Sequence, residues 1–327
     1  MCGVQWCKKY CNKQNKILTF TCLNSQKMIE IGQGKLKISI HEPDIAEGYY
    51  RGTRFDWAGV FEGIRYEGCN YAEPWFESYS PTMHDAVCGP AEEFGPVGVE
   101  DAAPGQPFLK IGVGILEKMD ESPYDRFKLH RILDYGRREL SVKDESAVFR
   151  HMIDSPQGYG YDYVKEIVIT GENTFSIRHI LSNTGTLPIK TDVYNHNFFT
   201  LGLLSVGSGR CLDFPYVPEG DWRDENDHVA LVGSGIRFNA PNDKVRSGFI
   251  GNLHEKGRGF SGSPSSFDVH ELSTGRGVRV SCALPMTYAV FWANPRIACV
   301  EPYLDVDIRP GERFEFSIDY TLETKQK

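Results

Sequence analysis

No stretch of the 327-residue chain approaches the ~20 consecutive apolar residues that a helix needs to cross a bilayer. Runs of lysine and arginine are missing too. The 36 basic residues are outnumbered by 44 acidic ones, a formal net charge of −8. Neither a membrane span nor a nucleic-acid partner is expected, because phosphate binding needs clustered positive charge. Helical periodicity is scarce: Phe127–Leu140 offers Leu129, Ile132 and Leu133, but Gly136 interrupts it and its neighbours read as strands. There is no Walker A loop, no G-x-S-x-G elbow and no histidine four positions after those of the three His-Glu pairs, so phosphate-loop, elbow-serine and zincin chemistry all lack their sequence frame. Gly257–Gly262 spells G-x-G-x-x-G, but Ser and Pro follow where a dinucleotide loop would open a helix.

The sequence also lacks an Asn-x-Ser/Thr sequon and an apolar leader, since Met1–Lys27 is polar and lysine-rich apart from Ile17–Phe20. The nine cysteines are an odd number, and together these features favour free thiols in a reducing, cytoplasmic setting. Four of them, Cys2, Cys7, Cys11 and Cys22, crowd the N-terminus without the matched C-x₂₋₄-C pairs of a zinc site. Residues 1–33 are therefore expected to be a disordered or non-native extension, with no metal.

What is abundant is alternation. Leu36, Ile38 and Ile40, then Val278, Val280, Cys282 and Leu284, then Phe314, Phe316, Ile318, Tyr320 and Leu322 are each separated by mostly polar residues. A period of two puts one face of a strand in a core. Turn residues punctuate these runs, among them Gly171-Glu172-Asn173, Asn183-Thr184-Gly185 and Pro310-Gly311. The pattern predicts an all-β, large antiparallel sandwich over residues 34–327 as one domain. The Gly-, Ser- and Pro-richer stretch from Ser205 to Ser273 is expected to be long loops carrying a few strand pieces, such as Val229–Val232 and Gly248–Ile250.

Two segments carry candidate chemistry. Tyr194-Asn195-His196-Asn197-Phe198-Phe199 places a histidine between asparagines of low β-propensity, whose amides need partners if buried. Glu301 follows the apolar Ala298-Cys299-Val300 and is expected to leave the sheet there, partly desolvated. Such a carboxylate is either an ion-pair partner or a tuned base.

The order of these motifs resembles the galactose mutarotase-like superfamily, which includes the aldose 1-epimerases. The matching elements are Asn195-His196-Asn197-Phe198-Phe199-Thr200-Leu201, then Glu301-Pro302, then Pro310-Gly311-Glu312, with an early arginine segment at Arg51-Gly52-Thr53-Arg54-Phe55. The resemblance implies a β-supersandwich whose concave face binds a sugar, with His196 as acid and Glu301 as base. Hemiacetal opening needs a proton taken from the anomeric hydroxyl and one given to the ring oxygen. It also implies Arg54, His84, Asp243 and Trp57 as sugar-binding residues, with Trp75, Phe198 and Trp292 as further stacking platforms. His196 and Glu301 should border a hollow one sugar ring wide. Asn197 departs from the family's usual Ser or Pro, which leaves the sugar open. A sugar is the implied partner, and no cofactor is needed. A carbohydrate-binding protein without turnover is one rival. A hydrolase is another, and it needs a second carboxylate, for which Glu92 and Glu93 are the candidates.

Overall fold

The computed structural model describes residues 27–155, 157–202, 205–223, 228–239, 247–258 and 266–324. The N-terminal cysteines Cys2, Cys7, Cys11 and Cys22 lie outside these residues. In chain order the strands begin with β1 (Met28–Gln33), β2 (Leu36–His41), β3 (Phe61–Tyr66), β4 (Cys69–Ala72), β5 (Gly89–Phe94), β6 (Pro107–Lys110), β7 (Gly114–Glu117) and β8 (Ile132–Asp134). Then follow β9 (Arg137–Lys143), β10 (Ser146–Asp154), β11 (Gly160–Gly171), β12 (Thr174–Asn183), β13 (Ile189–Phe198), β14 (Arg210–Asp213), β15 (Pro218–Trp222) and β16 (Val229–Val232). The last are β17 (Gly235–Phe238), β18 (Gly248–Glu255), β19 (Ser266–Glu271), β20 (Arg276–Cys282), β21 (Tyr288–Ala293), β22 (Ala298–Ile308) and β23 (Arg313–Thr324). No helix occurs among the described residues, and so none is long and apolar enough to cross a membrane.

Two antiparallel sheets dominate. One has ten strands in the order β16-β17-β14-β19-β20-β23-β12-β11-β10-β9, the other six in the order β15-β18-β21-β22-β13-β5. Smaller sheets of four (β1–β4) and three strands (β6–β8) flank them. The alternation in the sequence is the cause of this layering. On β23, Phe316, Ile318, Tyr320 and Leu322 are buried while Glu315 and Asp319 are exposed, and Leu36, Ile38 and Ile40 of β2 are fully buried. Gly275 and Gly311 take left-handed φ values of 68° and 82° in the turns before β20 and β23, a region where a Cβ is strained.

Two boundaries differ from the sequence reading, and one stretch that it set against a helix is indeed not helical. The sheet begins at Met28, because Met28–Gln33 pairs with β2 along its whole length, from Met28↔His41 to Gln33↔Leu36. The described residues between 205 and 273 hold six strands: β14, β16, β17 and β19 widen the ten-stranded sheet, while β15 and β18 widen the other. Most are short, too short for a period of two to stand out. The Phe127–Leu140 stretch is loop followed by β8 and β9, with Gly136 at φ 63° in the turn.

Candidate functional site

Strand β13 sorts its side chains by parity. Asn195 and Asn197 point into the space between the two large sheets, whereas Tyr194, His196 and Phe198 line the other face. The inward amides are fully partnered. Asn195 donates to Glu92 Oε1 at 2.8 Å and accepts from the Tyr320 hydroxyl at 2.7 Å. Asn197 donates to the carbonyl of Val300 at 3.0 Å and accepts from the same Tyr320 hydroxyl at 3.1 Å. Both are only 1% exposed, so these bonds offset a desolvation cost of about 1–3 kcal/mol per unpaired group. Two residues of poor β-propensity stand in a central strand because they tie it to β5, β22 and β23.

The backbone ladder between β13 and β22 runs from Ile189↔Ile308 to Tyr194↔Tyr303 and ends there. The next residue of β22 is Pro302, which has no N–H to offer. Continuing the same register by two residues sets His196 opposite Glu301, and Nε2 of the imidazole lies 3.1 Å from Oε1 of the carboxyl. Glu301 therefore sits within β22 and does not leave the sheet, and it touches His196 directly with no ring-wide gap between them. The imidazole is gripped on its other sides. Cys299 Sγ is 3.4 Å from Nδ1, Phe198 stacks on the ring at 3.6 Å between centroids and 9° between planes, and Trp292 meets it edge-on at 5.3 Å.

Burial governs the charges of this pair. It drives the His196 pKa well below its ordinary value, with Arg54 and Arg126 pushing the same way. Glu301 is pushed up to about 7 by burial, against the pull of the same two arginines. The pair thus favours one proton, held on the carboxyl. The Cys299 thiol is pushed far up by burial and stays protonated. His196, Cys299 and Glu301 form the one cluster of metal-ligating groups found among the described residues, their ligand atoms lying within 4.8 Å of one another. The carboxyl and the thiol approach opposite nitrogens of the one ring, at 3.1 and 3.4 Å.

Beneath the pair, Glu93 anchors a buried cationic floor. Arg54 Nε donates to Glu93 at 2.9 Å, Lys110 Nζ donates at 3.1 Å, and Arg126 approaches to 3.5 Å. Arg54 Nη2 also donates to the Tyr194 hydroxyl at 2.9 Å. Burial alone would raise the Glu93 pKa, but Lys110, Arg54 and Arg126 outweigh it and hold the group at about 2. Its neighbour Glu92 faces the inter-sheet space, paired with Lys165 and with His179 at 3.3 Å. It too is held at about 2, the lysine and histidine outweighing burial. Neither carboxylate is free to act as a second acid beside Glu301.

The pair opens into a cleft of about 1130 Å³ on the face of the six-stranded sheet, lined also by Arg54, His84, Trp75, Phe198 and Trp292. His84 meets Phe127 edge-on at 5.1 Å on the rim. Trp57 is not in that lining. It is 1% exposed, its indole N–H donates to the Gly52 carbonyl at 2.7 Å, and Arg138 covers its ring, so it is a core residue. Asp243 lies outside the described residues. Among the cleft residues that the sequence left unmarked are Tyr303, Arg126 and Phe249. Tyr303 carried a signal, since it stands two positions from Glu301 on the same strand face.

No protein-family model matches the chain, and no curated protein is significantly similar to it in sequence. Solved structures do match in shape. A galactose mutarotase-like protein from Clostridium acetobutylicum superposes with a TM-score of 0.58 at 11% identity, covering 94% of this chain and 98% of that one. A galactose mutarotase-like protein from Lactobacillus casei gives 0.56 at 12% identity over 91% and 100%. The Slr1438 protein from Synechocystis gives 0.59 at 12% identity over 94% and 100%. By architecture, strand pairing and this agreement along nearly the whole chain, the protein has the galactose mutarotase-like fold.

Proposed function

We propose that the protein is an aldose 1-epimerase-like isomerase that interconverts sugar anomers, with His196 and Glu301 as its proton-transfer pair. The observation that carries this reading is the 3.1 Å approach of His196 Nε2 to Glu301 Oε1 at the base of an open cleft. Anomerisation needs one proton delivered to the ring oxygen and another removed from the hydroxyl on the same carbon. Two adjacent groups sharing one proton supply both transfers, each worth roughly 10²–10⁴ in rate.

With the proton on Glu301, the carboxyl protonates the ring oxygen while Nε2 of His196 takes the hydroxyl proton. The ring C–O bond breaks, its electron pair stays with the ring oxygen, and a carbonyl forms at the anomeric carbon. The open aldehyde then faces a carboxylate and an imidazolium, which Arg54 and Arg126 help to balance at the carboxylate. After rotation about C1–C2, the hydroxyl attacks the other carbonyl face. Glu301 takes its proton, and His196 gives one to the carbonyl oxygen. For ring opening the resemblance read from the sequence implied the opposite assignment, His196 as acid and Glu301 as base; the burial that lowers the His196 pKa and raises that of Glu301 favours the reversal. No group outside the chain is consumed, and a cytoplasmic setting suits the free thiols of Cys69, Cys88, Cys211, Cys282 and Cys299. Trp75 and Trp292 would take the C–H face of the sugar, and His84 and Arg54 its hydroxyls, whereas Phe198, 1% exposed and stacked on His196 and Trp75, supports them from the core.

Polarimetry or NMR exchange on freshly dissolved α-glucose and α-galactose tests the reading. The protein is expected to accelerate equilibration of at least one of them, and Glu301→Gln to lower that rate by about 10²-fold or more. Equal rates with both proteins would end it.

A further inference from the structure

The cleft is too large for one sugar ring and runs in one direction away from the proton-transfer pair. From this we propose that the substrate is the reducing end of an oligosaccharide, its remaining units lying across β21, β18 and β15. The inference rests on the anomer-exchange reading above and extends it. The volume of about 1130 Å³ exceeds the ~300–1,000 Å³ that encloses a drug-sized ligand of several rings. Its floor follows the strand order β13, β22, β21, β18, β15. From His196 on β13 to Asp221 on β15 there are four strand spacings, roughly 19 Å at about 4.8 Å each. A linked hexose unit is about as long as one such spacing, so the trough seats about three to four units. The pair stands near one end, where His84, Asp85 and the segment Pro123–Phe127 wall the cleft.

The far stretch is furnished for sugars. Trp292 and Phe249 are paired in register on adjacent strands, and both line the cleft. The Arg223 guanidinium lies over the Phe249 ring at 3.9 Å, a cation–π contact that sets fixed hydrogen-bond donors beside the aromatic pair. Beyond it, Asp221 accepts from the Asn252 side chain at 2.6 Å, which offers a carboxylate and an amide to hydroxyls. The edge strand β15 and its neighbour β18 break register here, between Glu219 and Asp221 and between Ile250 and Leu253, and Asn252 takes a left-handed φ of 48°. Bulges of this kind re-aim side chains beside binding sites. A monosaccharide held at His196 and Glu301 would leave all of this unused.

The test is a chain-length series. Anomer exchange is followed by NMR for glucose and for malto- and cello-oligosaccharides of two to four units. In at least one series kcat/KM is expected to rise by about tenfold or more between one and three units, the worth of one or two stacked rings. Phe249→Ala and the exposed Arg223→Ala are expected to lower kcat/KM for the trisaccharide about tenfold more than for glucose. Flat kcat/KM with length in both series, with glucose still accelerated, overturns the inference and leaves the isomerase reading intact. If no sugar is accelerated, both fall together. Equal losses on glucose and the trisaccharide in the two variants would likewise overturn the extended site.

Discussion

The thiol of Cys299 lies 3.4 Å from Nδ1 of His196, on the edge of the ring opposite Glu301. Which nitrogen of an imidazole carries the proton is set by the partner of the other one. Cys299 does not reach the cleft, so it acts through His196 by fixing its tautomer and tilt. Cys299→Ala is expected to lower kcat by about tenfold with little change in KM, because small misplacements of a reacting group cost rate. Cys299→Ser, which keeps a hydrogen-bonding atom there, is expected to recover most of it. A KM effect with kcat unchanged would argue against a positioning role.

Glu301 makes the stability of the protein depend on pH. Its folded-state pKa, raised to about 7, stands above the ordinary 4.5, so the folded state binds the extra proton between those values. Stability on this account is complete below about 4.5 and is lost as pH rises through about 7. Removing the ionisable group removes the loss. Glu301→Gln is expected to be more stable than the unsubstituted protein at pH 8, by on the order of 1–3 kcal/mol, with the gain shrinking toward pH 5. Thermal melts across that range would reveal a pH-independent difference if the carboxyl were not desolvated.

Anomer exchange should show a bell-shaped pH profile, since the working pair holds one proton. The alkaline limb is expected near 7, where the carboxyl loses that proton, and the acid limb well below 6.5, where the depressed imidazole gains a second. A profile that climbs steadily through pH 9, after subtraction of the spontaneous rate, would contradict the one-proton pair.

The inter-sheet space is held by buried charge. Lys165 donates to Glu92 and, at 2.7 Å, to the Ala58 carbonyl, and lies 3.5 Å from Asp56. Lys165→Met strips both carboxylates of their cation in a region 1–3% exposed, and it is expected to cost about 3–5 kcal/mol in urea unfolding. A loss below about 1 kcal/mol would show that the two carboxylates take up protons at little cost.

Chelation offers a separate check on the chemistry. Proton transfer between His196 and Glu301 calls for no ion, so extended dialysis against EDTA is expected to leave the exchange rate unchanged. Loss of rate, restored by added zinc, would turn the His196–Cys299–Glu301 cluster into a metal site.

Much of this molecule was legible from residues alone, for definable reasons. Strands such as β2, β20 and β23 carry enough alternation to announce themselves, and His196 and Glu301 belong to motifs whose order survives where identity does not. Other features were hidden. The end of the apolar run Ala298-Cys299-Val300 made Glu301 read as the end of a strand; the strand continues through Pro302, which interrupts pairing on the β13 side while Ala289↔Pro302 still aligns with β21. Aromatic character does not say which way a ring faces, which is why Trp57 looked like a platform and is core. Arg126 reaches the floor from a loop with no periodicity, and only its contact with Glu93 gives it away.

That interrupted ladder has a mechanical consequence. Past Tyr194 and Tyr303, β13 and β22 are joined by side chains in place of the paired main-chain register, the Asn197 amide reaching the Val300 carbonyl and His196 meeting Cys299 and Glu301. The two strands can part slightly at that spot without rupturing any rung of the grid. An otherwise stiff ten-by-six sandwich thus keeps its compliance where two oxygens of a guest must slip in beside the imidazole and the carboxyl.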